Sequence, residues 1–326
     1  MQIPITIEEV DVFTLDADIL VLKYAQALYG VDLQAVSKLS KIKTTLKDSL
    51  PEYGKFLMVP TFGTIVPKEV LFVGTEPLFQ FRYQSIREFA TRALTYLGEM
   101  SPQTETICFT LHGRGFGLDE IEAFESEIAG LIEAISQGKF PKNLKKIIIA
   151  EKYRSLAENL KQALRELLPQ GAVVVRDSSM EKIPLTNRLK EAGYTSDKKP
   201  VIFVAMPFDK KMDDVFYYGI KGAVNNAGYL CERADQTHFT GDVIEQIKIR
   251  IEHADLVIAD LTQANPNVYL EVGYAWGRGK PTILLVQDVS ELKFDVRGQR
   301  CLIYKSIMEL EELLHKELND YSETIK

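Results

Sequence analysis

The chain has 326 residues, with 39 Lys plus Arg against 46 Asp plus Glu and a formal net charge of −7. That length accommodates two domains with a core each, and a mildly acidic balance without a basic block argues against a nucleic-acid-binding surface. Cys108, Cys231 and Cys301 lie far apart in apolar segments and the four histidines show no metal spacing, so no disulfide framework, metal or cofactor is expected, and the reading is of a reduced, cytoplasmic protein.

The opening MQIPITIEEV is acidic and lacks an apolar core long enough for a secretory leader, and no later run approaches the roughly 20 apolar residues a membrane helix needs. Short apolar runs follow at Ile19 to Leu22, Phe56 to Val59, Val70 to Val73, Ile107 to Leu111, Ile147 to Ala150 and Ala172 to Val175. Between several of them lie helical patterns, at Ser85 to Tyr96, Leu118 to Ser136 and Tyr153 to Leu168, so residues 1–175 predict an α/β domain. Within it, HGRGFG (His112 to Gly117) joins a strand to a helix. The backbone N–H groups of Gly113, Gly115 and Gly117 at a helix start, with the Arg114 fork, suit a phosphate; a plain strand-to-helix turn is the other reading. The G-x-G-x-G spacing is not the dinucleotide fingerprint.

Residues 176–199 are polar, with Pro184 and Asp197-Lys-Lys-Pro, and read as a linker with a short helix near Leu185 to Ala192. From Pro200 the order is strand (Val201 onward), Met-Pro-Phe loop, helix (Met212 to Ala227), strand (Tyr229 to Arg233), polar loop with His238, helix (Asp242 to His253), strand (Leu256 to Ala259), helix after Pro266, strand (Thr282 to Val286), strand (Cys301 to Tyr304) and a last helix to about Leu318. Regular alternation over 200–326 predicts a doubly wound parallel sheet of flavodoxin-like order.

Ligands of such sheets sit outside the carboxyl ends of the strands, where the loop with Thr262, Asn265 and Asn267 leads into a helix carrying Glu271. An acid held there among apolar neighbours gains a raised pKa; alternatively, Glu271 serves the helix dipole. Gly273 and Ala275 are read as small residues for close packing on the sheet. Asp260 closes the strand at the crevice and Asp255 caps its other end. Tyr274 and Trp276 either stack on a base or pack in the core. Arg233 and His238 are read as a solvated loop rather than a phosphate contact.

The segments VAMPF, ADLVIADLT and NPNVYLEVGYAWGRGKP, in that order, resemble the nucleoside 2-deoxyribosyltransferase-like domains, which share the Toll/interleukin-1 receptor (TIR) fold; the resemblance spans about Pro200 to Tyr304. It implies that Glu271 is a nucleophile attacking the anomeric carbon of a nucleoside and that Asp242 orients it or handles the base's proton, although Asp242 is equally placed to cap its helix. It implies that Met206 and Phe208 shape the base or sugar pocket, core or lid packing being the other reading of the aromatic, and that Asn265, standing where the family has Asp, holds sugar hydroxyls; Asp260, placed to bond the Asn-Pro-Asn loop, and Asn267 are read with them as substrate-binding. The stretch ADILVLKYAQALYGVDLQAV with HGRGFG weakly resembles macro domains, in which a glycine-rich loop holds the diphosphate of ADP-ribose; Asp16 or Asp18 would correspond to the adenine contact.

Two classes of function follow. One is an N-glycosidase or ribosyltransferase acting on a nucleoside, a nucleotide or NAD, gated by a nucleotide on the N-terminal domain, a pairing that resembles modules of bacterial antiviral defence. The other is a non-catalytic nucleotide sensor or scaffold. Either takes a small-molecule nucleotide as partner, and the resemblance implies a homo-oligomer.

Overall fold

The structure, a computed structural model, describes residues 2–28, 30–113, 117–174, 186–233 and 243–325. The chain forms two compact units: Met1–Arg114 with Glu120–Asp197, and Gly115–Asp119 with Lys198–Lys326. No helix among the described residues is long and apolar enough to cross a membrane.

The first unit is built on seven strands: β1 (Gln2–Glu9), β2 (Ile19–Tyr24), β3 (Phe56–Pro60), β4 (Glu69–Gly74), β5 (Thr106–Thr110), β6 (Lys146–Glu151) and β7 (Ala172–Val174). Their order is β3-β4-β2-β5-β6-β1-β7, parallel throughout except that β3 and β7 pair antiparallel at the two edges. Five helices accompany them: α1 (Gly30–Leu39), α2 (Tyr83–Met100), α3 (Glu120–Ser136), α4 (Arg154–Leu167) and α5 (Asn187–Glu191). The period-2 geometry of a strand sends alternate residues to opposite layers. Ile19 and Val21 join the core under α2, α3 and α4, whereas Leu20 and Leu22 join the one under α1. Sequence reading passed over β1, although Ile3, Ile5 and Ile7 alternate and are all buried, and it passed over α1.

Residues 186–197, within the stretch read as linker, pack in this unit. Leu189 and Ala192 enter its core, and the buried Arg87 donates from Nη1 to the carbonyls of Leu189, Lys190 and Ala192 at 3.0, 3.1 and 2.6 Å. One guanidinium thus satisfies several backbone acceptors that a short, terminal helix leaves open.

The second unit has five parallel strands, β8 (Val201–Ala205), β9 (Leu230–Glu232), β10 (Leu256–Asp260), β11 (Thr282–Val286) and β12 (Cys301–Ile303), in the order β12-β11-β10-β8-β9. Counted from the first strand of the unit, this is 2-1-3-4-5, the flavodoxin-like winding, so the expected α/β class and doubly wound sheet are what the chain forms. The sheet is covered on one face by α6 (Lys221–Asn226) and α9 (Ile307–Ile325), and on the other by α7 (Val243–His253) and α8 (Pro266–Gly277). Burial on both faces is why its strands read as unbroken apolar runs. The helix expected over 212–227 is instead a π-helical turn, Val215–Ile220, continued by α6.

Candidate functional site

Winding reverses between β8 and β10, and the crevice of a doubly wound sheet opens at the carboxyl ends of those two strands. The loop after β8 carries Met206 and Phe208; the loop after β10 leads into α8, which packs on both strands. Asn265 is the N-cap of α8, its Oδ1 accepting from the Asn267 N–H at 3.0 Å, with Pro266 at the first helical position. At the other end Gly279, at φ +68°, closes a Schellman motif in which the Lys280 N–H donates to the Ala275 carbonyl at 2.9 Å.

The buried stripe of α8 is Val268, Glu271, Val272 and Ala275, so Glu271 holds a position whose helical spacing calls for an apolar side chain. Glu271 is 7% exposed, and among the described residues no hydrogen bond or ion pair reaches its carboxyl group. Burial alone pushes its pKa up to about 8. Gly273 lies off the stripe: it is exposed, and an added Cβ would meet nothing within 4 Å, so it does not serve close packing on the sheet as the sequence suggested.

Asp260 is fully buried with both oxygens engaged, Oδ1 by the Thr262 N–H at 3.0 Å and Oδ2 by the Tyr304 hydroxyl at 2.6 Å. Tyr304 in turn accepts from Gln287 Nε2 at 3.1 Å, and the Gln287 N–H donates to Thr262 Oγ1 at 3.2 Å. Burial raises the pKa of Asp260 against the lowering effect of these bonds. This network holds the loop, in which Gln263 (φ +67°) and Ala264 (φ +48°) both adopt left-handed backbone, rare for non-glycine residues and concentrated at working sites. Asp255 accepts from the Val201 N–H at 2.8 Å at the opposite, amino end of the sheet. The Tyr274 hydroxyl bonds Glu252 and Arg278, while Trp276 is 38% exposed.

Of the remaining expected residues, Met206 is buried in the core and Phe208 is 38% exposed. Asn267 is exposed. Asp242 and His238, together with Arg114 and Gly115 of the glycine-rich loop, lie outside the described residues. Arg233, read from sequence as solvated, has a side chain only 13% exposed; its guanidinium lies over the Phe216 ring at 4.1 Å and the Phe208 ring at 5.7 Å. Both aromatics are distant from it in sequence, so spacing gave no sign of this burial.

In the first unit, Gly113 (φ +95°) follows β5; Gly117 (φ +74°) belongs to the Gly115–Asp119 stretch of the second unit. Beside Gly113 sequence reasoning missed a buried polar pair. His112 is 4% exposed, edge-on to Phe89 at 4.5 Å, and its Nε2 has no partner; burial, then the charge of Lys23, hold its pKa well below the usual value. Glu127 is fully buried with neither oxygen in a hydrogen bond of ordinary geometry, and burial raises it well above the carboxylate range. Like Glu271, it stands on an apolar stripe, here with Phe124, Ile128 and Leu131, and that misplaced acid was the readable signal. Asp18 sits at the amino ends of the strands, bonded to Lys68 Nζ at 2.6 Å and to the N–H groups of Glu105 and Thr106 at 2.9 Å each, far along the sheet direction from the glycine-rich loop. It therefore pins strand starts and does not correspond to a ligand contact beside that loop.

No family model matches the chain, and no curated protein matches it. Among solved structures, it is similar to a CMP N-glycosidase of Clostridium botulinum, BcmB, at 20% identity over 36% of this chain and 98% of that one, with a TM-score of 0.31. It is also similar to the macrodomain of Mycobacterium tuberculosis DarG (18% identity, 44% and 96% covered, TM-score 0.34) and to a macrodomain mutant of Oceanobacillus iheyensis (10% identity, 51% and 92% covered, TM-score 0.37). At these scores the similarities decide nothing about this chain, whose α/β architecture stands on its own strand order and register. What the fold and site define is a two-unit α/β protein whose doubly wound sheet carries, on a helix at its switch point, a buried carboxyl group that has no partner among the described residues.

Proposed function

We propose that the second unit is an N-glycosidase acting on a nucleoside or nucleotide, with Glu271 as nucleophile. The observation that carries this reading is the state of Glu271: a carboxyl group desolvated, among the described residues, without a compensating cation or hydrogen bond costs stability, and such groups cluster where chemistry needs them. In the ionised form it attacks C1′ of the sugar; the C1′–N bond breaks and its electron pair leaves with the base, which takes up a proton. Water then adds its oxygen to C1′ and gives up a proton, which restores the one the base took; the ester bond breaks and the carboxylate returns. Asp242 is the sequence's candidate for the proton. Asn265 retains a free amide Nδ2 for a sugar hydroxyl while its Oδ1 caps α8, and Asp260 acts indirectly, by holding the loop.

The glycine-rich sequence is proposed to serve a regulatory nucleotide on the first unit, with the left-handed backbone at Gly113 (φ +95°) supporting a phosphate-binding turn after β5. A second reading, a binding module without turnover, is favoured by one feature: with a pKa of about 8, Glu271 is mostly protonated at neutral pH and suited to donate a hydrogen bond to a sugar oxygen. Chromatography of nucleosides, nucleotides and NAD incubated with the wild type and with Glu271→Gln separates the two. Base release by the wild type that Glu271→Gln abolishes supports the enzyme; tight binding by both proteins without product supports the module.

A further inference from the structure

Arg233 follows β9, the strand that flanks β8 on the side away from β10, and reaches the loop after β8: its Nη1 lies 3.7 Å from the Met206 sulfur. A guanidinium carries five N–H donors and is costly to desolvate with donors unmet. Here the carboxylate that faces it, Asp213, is half-exposed and 3.6 Å away, beyond a good hydrogen bond, and among the described residues its side chain makes no hydrogen bond to an oxygen. The cation lies over two aromatic rings, Phe216 and Phe208. Nη1 faces the Met206 sulfur and Nη2 faces Asp213, so among the described residues the five donors of the guanidinium are not all used, and such a fork can engage two oxygens of one anion. Phe216 belongs to the π-helical turn Val215–Ile220, a local widening that occurs often at functional sites.

The geometry points to Arg233 as the subsite for a phosphate group on the sugar of the substrate, so that the substrate class is a nucleotide rather than a free nucleoside. This rests on the reading of Glu271 as the group that meets C1′. The strands that lead to Arg233 and α8 flank β8 on either side, so their ends stand about 10 Å apart, two strand spacings, which suits a phosphorylated sugar lying between them. Lysine would keep the charge and lose the planar fork, making Arg233→Lys an informative partner to Arg233→Gln.

The test compares AMP, CMP, GMP and UMP with their nucleosides as substrates of the full chain, as the wild type, Arg233→Gln and Arg233→Lys, with circular dichroism and melting temperature verifying that each variant is folded. The expected result is a preference of the wild type for the phosphorylated form in kcat/KM of roughly tenfold to a hundredfold, as for a charge-assisted pair. The preference falls at least tenfold in Arg233→Gln and partway in Arg233→Lys. A preference unchanged in both folded variants, or a wild type indifferent to the phosphate, overturns the proposal. If the wild type turns over nothing, it is the Glu271 reading that fails, and calorimetric titration of the same nucleotides decides the phosphate question alone. Binding weakened at least tenfold by Arg233→Gln upholds the subsite, and equal or undetectable binding in wild type and variant overturns it.

Discussion

Glu271 stands beside Val268, Val272 and Ala275 with its carboxyl group unpaired among the described residues, and its protonation is tied to folding. In the unfolded chain it ionises near 4.5, as an ordinary glutamate does; in the folded protein burial moves this to about 8. Between those values the folded state holds more protons, so this residue's penalty is absent at pH 4, grows as pH rises toward 8 and is constant above it. A shift of that size corresponds to about 5 kcal/mol at most. Glu271→Gln should accordingly match the wild type in urea denaturation at pH 4 and exceed it by several kcal/mol at pH 9; a difference independent of pH would show that burial of the charge is not the cost it is taken to be. Asp260 behaves differently because it is satisfied. Removing the hydroxyl in Tyr304→Phe strips one donor from a fully buried carboxylate, and a loss of about 2 kcal/mol is expected from the same denaturation measurement. An unchanged midpoint would mean that the network is not under load.

At the scale of elements, glycines separate packing from propensity. Gly130 of α3 faces the backbone of α2: an added Cβ would lie 2.2 Å from the Arg87 carbonyl oxygen, so Gly130→Ala is expected to lower stability by about 2 kcal/mol or more. Gly273 of α8 faces open space at helical φ, and Gly273→Ala should raise stability by about 0.5–1 kcal/mol through helix propensity. Thermal melts of both variants check the pair, and shifts of the same sign would contradict it. The contrast also marks what was legible. The strands and helices of the second unit could be read because each is an apolar run, or a period of 3.6, bounded by Asp, Gly or Pro. The fold class followed, and so did the position of Glu271. The phase of α8 was readable too, since Gly273 is off the 268, 271, 272, 275 stripe, but its small size was taken as a sign of contact. β1 alternates Ile3, Ile5 and Ile7 with Pro4 and Thr6 and so forms no continuous apolar run of the kind that marks the inner strands. The surroundings of Arg233 could not be read, because Phe208 and Phe216 meet it only once β8 and β9 pair.

Across the whole molecule, each unit closes its own sheet between two apolar layers, and each holds, on a buried helical stripe, an acid with no hydrogen bond of ordinary geometry among the described residues: Glu127 in the first, Glu271 in the second. The second lies at a switch point, on an amide-capped helix that follows a loop with left-handed backbone at Gln263 and Ala264, and the proposed glycosyl transfer rests on that setting. Since only the ionised form is a nucleophile, turnover should climb with pH until about 8 and then level. The most direct measurement is release of free base from nucleotides as a function of pH by wild type and Glu271→Gln. The account predicts a wild-type rate rising to a plateau near pH 8 and a variant slower by about a thousandfold that still binds the nucleotide. Base release by Glu271→Gln at the wild-type rate, with the same pH profile, would contradict it.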